Sequence, residues 1–233
     1  QNQTSNNPLV LFNQRSLNKS LANSRAKIWS NLHDASVTLF ISFTQMYTGS
    51  LLYYGGSGWF ISADGYIATA AHNVIFYDYS VKQGTAQMAG KLPRASYIVA
   101  TITNYNGTGV TRARYCRVVG TEGCTDIAVL KVDDSNMSNQ TYMEWGDIRN
   151  TPVGSPCFVI GDPLSLDVQS ISGGIIRDNR YVDPNCEISV ESVLVDAITF
   201  PGNSGSPIVD ENGKVIGILT FSMAETSAGL SGG

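Results

Sequence analysis

From about residue 35 onward, apolar and polar positions alternate in short runs, as they do in strands whose successive side chains point to opposite faces. Such runs occupy residues 37–43, 58–62, 66–70, 97–103, 111–119, 127–132, 157–160, 170–176, 189–197, 206–209 and 215–220. Three of the breaks between them are Asp64-Gly65, Asn106-Gly107 and Asn212-Gly213. Each is a tight-hairpin signal, because Asn, Asp and Gly accept the positive φ that such turns need. No long helical stretch separates the runs, which disfavours a parallel βαβ sheet and predicts an all-β protein. Residues 145–156 hold two prolines, two glycines and an Asn, and this segment reads as a linker between two halves with no sequence repeat between them. The predicted organisation is an arm and helix over 1–34, a first β half over 35–148 and a second over 149–233.

The amino-terminal region has a different texture. Residues 1–13 are polar and Asn-rich and read as a flexible arm. Residues 15–32 follow a helical period, with Leu17, Leu21, Ile28 and Leu32 on one face and Arg15, Lys19, Arg25 and Lys27 largely off it. A basic amphipathic helix can meet a membrane or a partner, including a second copy of the chain. The plainer expectation is a helix packed on its own domain, with a homo-oligomer contact as the alternative and membrane contact disfavoured.

Composition narrows the class. In 233 residues, 15% are charged and 42% hydrophobic, enough apolar content for a core and against wholesale disorder. A net charge of −4 argues against nucleic acid as the main partner. The apolar runs fall far short of the ~20 residues of a membrane-spanning helix. The chain opens on Gln1 without a signal-peptide pattern. Cys116, Cys124, Cys157 and Cys186 allow three disulfide pairings, and their spacing chooses none. With two histidines and no CxxC, neither a metal site nor a cofactor is predicted. Sequons at Asn2, Asn18, Asn106, Asn136 and Asn139 favour a secretory, extracytoplasmic route. In a chain this rich in Asn and Ser, chance supplies some of them, and the compartment stays open.

Few side chains remain for chemistry. His33, beside Asp34 at the end of the helix, reads as a C-terminal cap favoured by the helix dipole. His72 follows the apolar run 66–71, where a strand delivers a side chain to a barrel rim. Asp126 stands at the mouth of the apolar run Ile-Ala-Val-Leu, and a carboxylate there wants a partner for its charge. Ser204 lies in Pro-Gly-Asn-Ser-Gly-Ser-Pro, where small residues let backbone N–H groups converge around a hydroxyl. Taken singly, these are a rim residue, a turn residue and a turn before a strand. Together they give the order His–Asp–Ser, that of the chymotrypsin template, and not the orders of subtilisin or the α/β-hydrolases. The G-x-S-x-G elbow is broken by Ser206.

These segments resemble the trypsin-like serine proteases, most closely the HtrA/Deg branch. The segments that carry the resemblance are Gly-Ser-Gly-Trp-Phe-Ile-Ser-Ala-Asp-Gly-Tyr-Ile-Ala-Thr-Ala-Ala-His ending at His72, Val-Val-Gly-Thr-Glu-Gly-Cys-Thr-Asp-Ile-Ala-Val-Leu-Lys around Asp126, and Asp-Ala-Ile-Thr-Phe-Pro-Gly-Asn-Ser-Gly-Ser-Pro around Ser204. Gly-Asp-Pro at 161–163 and Ser-Gly-Gly-Ile-Ile at 172–176 add to it. The resemblance spans roughly residues 35–221 and implies two six-stranded antiparallel barrels with the active site between them. It implies a serine endopeptidase acting on polypeptides through His72, Asp126 and Ser204, with the Gly202 and Ser204 N–H groups as oxyanion hole. It also places a specificity pocket at Ile198 and Thr199, walled by Thr220, Phe221 and Ser222. No acid stands at that base, so a small or medium apolar residue is expected before the cut. A general-base histidine must be neutral, so activity is expected to fall below pH ~6–7.

Departures from the family pattern support an alternative, a latent or inactive protease fold serving a structural or binding role. Ser206 stands where the family usually has Gly, and Phe200 where it has Asn. Asn203 replaces the Asp that in many secreted trypsins pairs with a freed amino terminus. Cys157 has Asp210 where digestive proteases place its disulfide partner. The sequence is expected to stop before the last strand and the PDZ module of HtrA proteins.

Overall fold

The computed structural model describes residues 20, 22–44, 49–75, 95–122, 125–163, 169–182 and 191–220. The predicted arm, the first turn of the helix, Cys124, Cys186, Phe221 and Ser222 lie outside them. Six strands close into a barrel: β1 (Ser36–Thr44), β2 (Leu51–Phe60), β3 (Tyr66–Ala70), β4 (Tyr97–Ile102), β5 (Arg112–Glu122) and β6 (Ile127–Val132), in the order β1-β2-β3-β6-β5-β4. Strict alternation fills it. Val37, Leu39, Ile41 and Phe43 of β1 point inward with Ile98, Ala100 and Ile102 of β4 and Ala128, Leu130 and Val132 of β6. The three predicted hairpin signals connect β2 to β3, β4 to β5 and the last two strands, with φ of 92° at Gly65, 73° at Gly107 and 78° at Gly213.

The second half is a five-stranded sheet, ordered β11-β10-β7-β8-β9, from β7 (Pro156–Gly161), β8 (Ser170–Val182), β9 (Glu191–Val195), β10 (Pro207–Asp210) and β11 (Val215–Ile218). This corrects the expected second six-stranded barrel. Among the described residues β9 and β11 are the outermost strands, with only a short parallel bridge from Trp145 to Val215 beyond β11, no sixth strand joins them, and the sheet is a half-barrel. β7 is its centre, and its unbroken apolar sequence reflects burial on both faces. Cys157 and Val159 enter one core with Ile176 and Ile208, while Phe158 and Ile160 enter another with Trp59, Ala68 and Val209. That second core joins the two sheets.

The helix caps the same junction. Residues 22–32 are helical, Ile28 is buried among Trp59, Met143 and Phe158, and Trp29 and Leu32 pack against them. His33 closes the helix as expected: its Nδ1 lies 2.8 Å from the Trp29 carbonyl, its Nε2 lies 3.1 Å from Asp34, and its ring stacks on Trp29. Among the described residues, no helix is long and apolar enough to cross a membrane, and no group of three or more His, Cys, Asp or Glu is arranged to hold a metal.

Cys116 and Cys157 are free thiols. Cys157 faces Asp210 directly across β7 and β10, so that strand position offers no sulfur. Burial pushes both thiols up to about 12, and the thiolate is the reactive form. Both should therefore stay neutral and unreactive in the native protein at any pH well below that value. Site mapping of DTNB or iodoacetamide adducts at pH 8 should find neither cysteine modified natively and both modified in denaturant.

Candidate active site

β3 ends at Ala70, and a single 3₁₀ turn, Ala71–Asn73, carries His72 out over the open end of the barrel. Asp126 occupies the turn between β5 and β6 with φ of 53°, a left-handed conformation that Asp adopts more readily than most residues. That conformation lets one residue meet the histidine turn three times. The Asp126 carbonyl accepts from the Ala71 N–H at 2.8 Å, Oδ1 accepts from the His72 N–H at 2.8 Å, and Oδ2 lies 2.6 Å from His72 Nδ1. A carboxylate can only accept, so Nδ1 carries a proton, and it is Nε2 that bears the lone pair whenever the ring is neutral. His72 and Asp126 side chains are 23% and 22% exposed, enough to reach solvent and a substrate.

Ser204 lies in the loop between β9 and β10. This loop has no ladder of its own, and its backbone groups find partners on three sides. Ser57 N–H donates to the Ser204 carbonyl at 2.9 Å, Asn73 Nδ2 donates to the same oxygen at 2.8 Å, and Gly205 N–H donates to the Leu219 carbonyl at 2.8 Å. Ser57 Oγ donates to the Gly202 carbonyl at 2.8 Å and accepts from the Asp162 N–H at 2.9 Å, while Thr38 Oγ1 donates to Asp162 Oδ2 at 2.7 Å. Ser57, Thr38 and Asp162 are at most 1% exposed. Gly205 has φ of 87°, and a Cβ there would sit 2.2 Å from the Ser57 carbonyl oxygen, so only glycine fits. Among the described residues, neither the Gly202 nor the Ser204 N–H has an acceptor, and Ser204 Oγ makes no hydrogen bond to His72.

The structure thus brings His72 onto Asp126 and places the Ser204 backbone against the residue that follows His72. The proposed pocket residues are less gathered. Ile198 is 69% exposed, and Phe200, which is not among them, is 54% exposed. They line a cavity of about 360 Å³ that runs past Asn203 to Arg25 and the β7–β8 hairpin, and Thr220 is not in its wall. Thr199 is half-buried. Sequence reasoning did not single out Thr38, Ser57, Thr69 or Asn73. Thr38 carried a signal, a polar residue in an apolar run, but its outward parity on β1 reads as solvent-facing until the second sheet covers it.

A trypsin-like peptidase domain profile matches residues 56–218. The chain belongs to the trypsin-like peptidase family. Its similarities lie with the HtrA branch. The chain is 33% identical over 178 residues to a probable periplasmic DegP-like serine endoprotease of Bartonella henselae, covering 76% of this chain and 30% of that protein. It is 32% identical over 129 residues to the serine protease Do-like HtrA of Bacillus subtilis, covering 53% of this chain and 27% of that protein. The chain thus spans under a third of either relative. Among solved structures, the Deg5 crystal structure superposes with a TM-score of 0.66 at 20% identity, covering 86% of both chains. HtrA-type protease AlgW with a tripeptide superposes at 0.63 and 27% identity, covering 83% of this chain and 53% of that one.

One family departure near Ser204, Ser206, has a packing explanation. Ser206 is fully buried and its hydroxyl fills the space a side chain at Gly161 would need, an added Cβ lying 1.9 Å from Ser206 Oγ and 2.9 Å from Asn203 Oδ1. In this HtrA-like domain, therefore, residues 161 and 206 share one volume. Gly161→Ala should cost about 1–3 kcal/mol in the wild-type background. In a Ser206→Gly background it should cost much less. Urea unfolding of the four proteins gives the coupling, and additive effects would contradict the shared volume.

Proposed function

We propose that this chain is an HtrA-like serine endopeptidase whose nucleophile is Ser204, with His72 as general base and Asp126 as its orienting carboxylate. The observation that carries this reading is the Asp126–His72 pair, which orients the ring and commits its Nδ1, leaving Nε2 as the nitrogen that can accept a proton at the cleft where the Ser204 loop is anchored. Ser204 Oγ attacks the scissile carbonyl carbon while its proton passes to His72 Nε2. The resulting oxyanion falls to the unengaged N–H groups of Gly202 and Ser204, donors of a kind worth ~10²–10³ in rate. Collapse of the adduct breaks the C–N bond, and His72 returns the proton to the leaving amine. Water then repeats the sequence on the acyl ester and frees Ser204.

A resting, unassembled site is the second reading, favoured by the lack of a Ser204–His72 hydrogen bond and by the exposed Phe200. Catalytic hydrogen bonds often tighten only with substrate bound, so labelling decides between the two. A fluorophosphonate probe should label Ser204 in the native protein and leave Ser204→Ala unlabelled, read by peptide mass spectrometry. An unlabelled wild type would mean a latent or structural role.

The substrates we infer are polypeptides with a small or medium apolar residue before the cut, since Ile198 and Thr199 bring no acid to that region. In a peptide panel, cleavage after Val, Ala or Leu should exceed cleavage after Arg or Lys, and the reverse ranking would refute the assignment. An assembly through the amino-terminal helix would have to use its outer face, because Ile28 and Leu32 already serve the core.

A further inference from the structure

We propose that Asn73 is a positioning residue for this hydrolysis, setting the nucleophile loop from the histidine's own turn; the proposal rests on the endopeptidase reading above. Asn73 is 7% exposed, and both protons of its amide are used. Nδ2 donates to the Ser204 carbonyl at 2.8 Å and to Thr69 Oγ1 at 3.0 Å. Thr69 Oγ1 in turn donates its only proton to the Ser57 carbonyl at 2.7 Å, so toward Asn73 it can only accept. Two acceptors therefore face Asn73, and the amide has one workable orientation. Reversing it would set an oxygen against two oxygens.

The consequence falls on Ser204. A carbonyl oxygen has two lone pairs, and here the first barrel fills both: one with the Ser57 N–H, the other with Asn73. This fixes the peptide that follows the nucleophile. The next turn residue back, His72, is fixed by Asp126 through both its N–H and its ring. Asn73 is thus the short link between the base and the nucleophile's backbone. It touches neither the substrate nor the reacting atoms.

Space for this link comes from an absent side chain. A Cβ on Gly56 would lie 2.6 Å from Asn73 Nδ2 and 2.9 Å from its Cγ. Gly56 and Asn73 are therefore a matched pair, one residue giving up the volume that the other uses to reach across the cleft.

The matched pair supplies the test. Asn73→Ala removes the donor and leaves a void; Gly56→Ala with Asn73→Ala refills part of that void without restoring the donor. Three readouts are compared on both variants and the wild type: melting temperature, fluorophosphonate labelling rate at 15 °C, and kcat and KM on one cleaved peptide. We expect Asn73→Ala to slow labelling and lower kcat by about tenfold or more, with KM within about twofold. The double variant should recover melting temperature but not labelling rate or kcat. If the double variant recovers all of them, Asn73 is packing alone and the proposal falls. It falls equally if Asn73→Ala labels as fast as a wild type that labels well. A wild type that neither labels nor cleaves overturns the endopeptidase reading itself, and this proposal with it. Asn73→Asp, which keeps the shape but sets a carboxylate oxygen against the Ser204 carbonyl, should be no faster than Asn73→Ala; a faster rate would also contradict the assignment.

Discussion

The carbonyl of Ser204 is where the two halves of this molecule are fastened together around the site. The loop that carries it has neither a helix nor a ladder to satisfy its backbone, and buried backbone groups without partners are costly. Its partners come from β2, from the turn after β3 and from the end of β11. The side-chain contacts that Ser57 and Asn73 make to it from the first barrel span 145 and 131 residues of chain. A loop held this way has no conformation of its own until both sheets are in place. The site is therefore a product of docking the halves, and the apolar junction of Trp59, Ala68, Phe158, Ile160 and Val209 is what holds them docked. The long closure such contacts require also places them late in any folding order, because the chain entropy is spent before they form.

On the other side of the cleft the logic is local and strained. Asp126 is one of two non-glycine residues with positive φ among the described residues, the other being Asn106 in a hairpin turn. A hairpin explains Asn106. Asp126 is left-handed where its carbonyl and both carboxylate oxygens meet residues 71 and 72 together. Backbone strain of this kind costs on the order of 1–3 kcal/mol and persists where surrounding contacts over-determine it. Three hydrogen bonds to one turn supply that determination. The imidazole ends up with its orientation and its proton position fixed by the same residue.

Much of this was legible in the sequence, for identifiable reasons. All eleven predicted strands exist, and β3 and β6 have the predicted bounds, because period-two alternation is imposed by a barrel wall with one wet and one dry face. The first half of β2 was missed: Leu51 to Gly56 reads Leu-Leu-Tyr-Tyr-Gly-Gly, without alternation, and its pairing is set by β1 across the whole of 36–44. β8 runs on through a polar stretch to Val182, where pairing with β9 sustains it. The half-barrel was not legible as such, since closure depends on which edges meet and not on the pattern within any strand. His72, Asp126 and Ser204 stood out through residue type and order. The clamp around them did not, because Thr38, Ser57 and Asn73 differ from ordinary surface residues only in what the second sheet brings to them.

Volume exchange accounts for why those clamping residues fit at all. Three glycines border the site, and each lacks a side chain where another group has taken the space: Gly56 beside Asn73, Gly161 beside Ser206, and Gly205 beside the Ser57 carbonyl and Thr69. In a close-packed interior, adding atoms at one point requires removing them at another. Ser206 and Asn73, read one at a time, look like polar intrusions close to Ser204. Read with Gly161 and Gly56, each is half of a compensated pair. The same reasoning separates the two residues. Ser206 Oγ has no hydrogen-bond partner and acts as filler, whereas Asn73 uses both of its amide protons. Packing explains the presence of the first, and only directed hydrogen bonding explains the second.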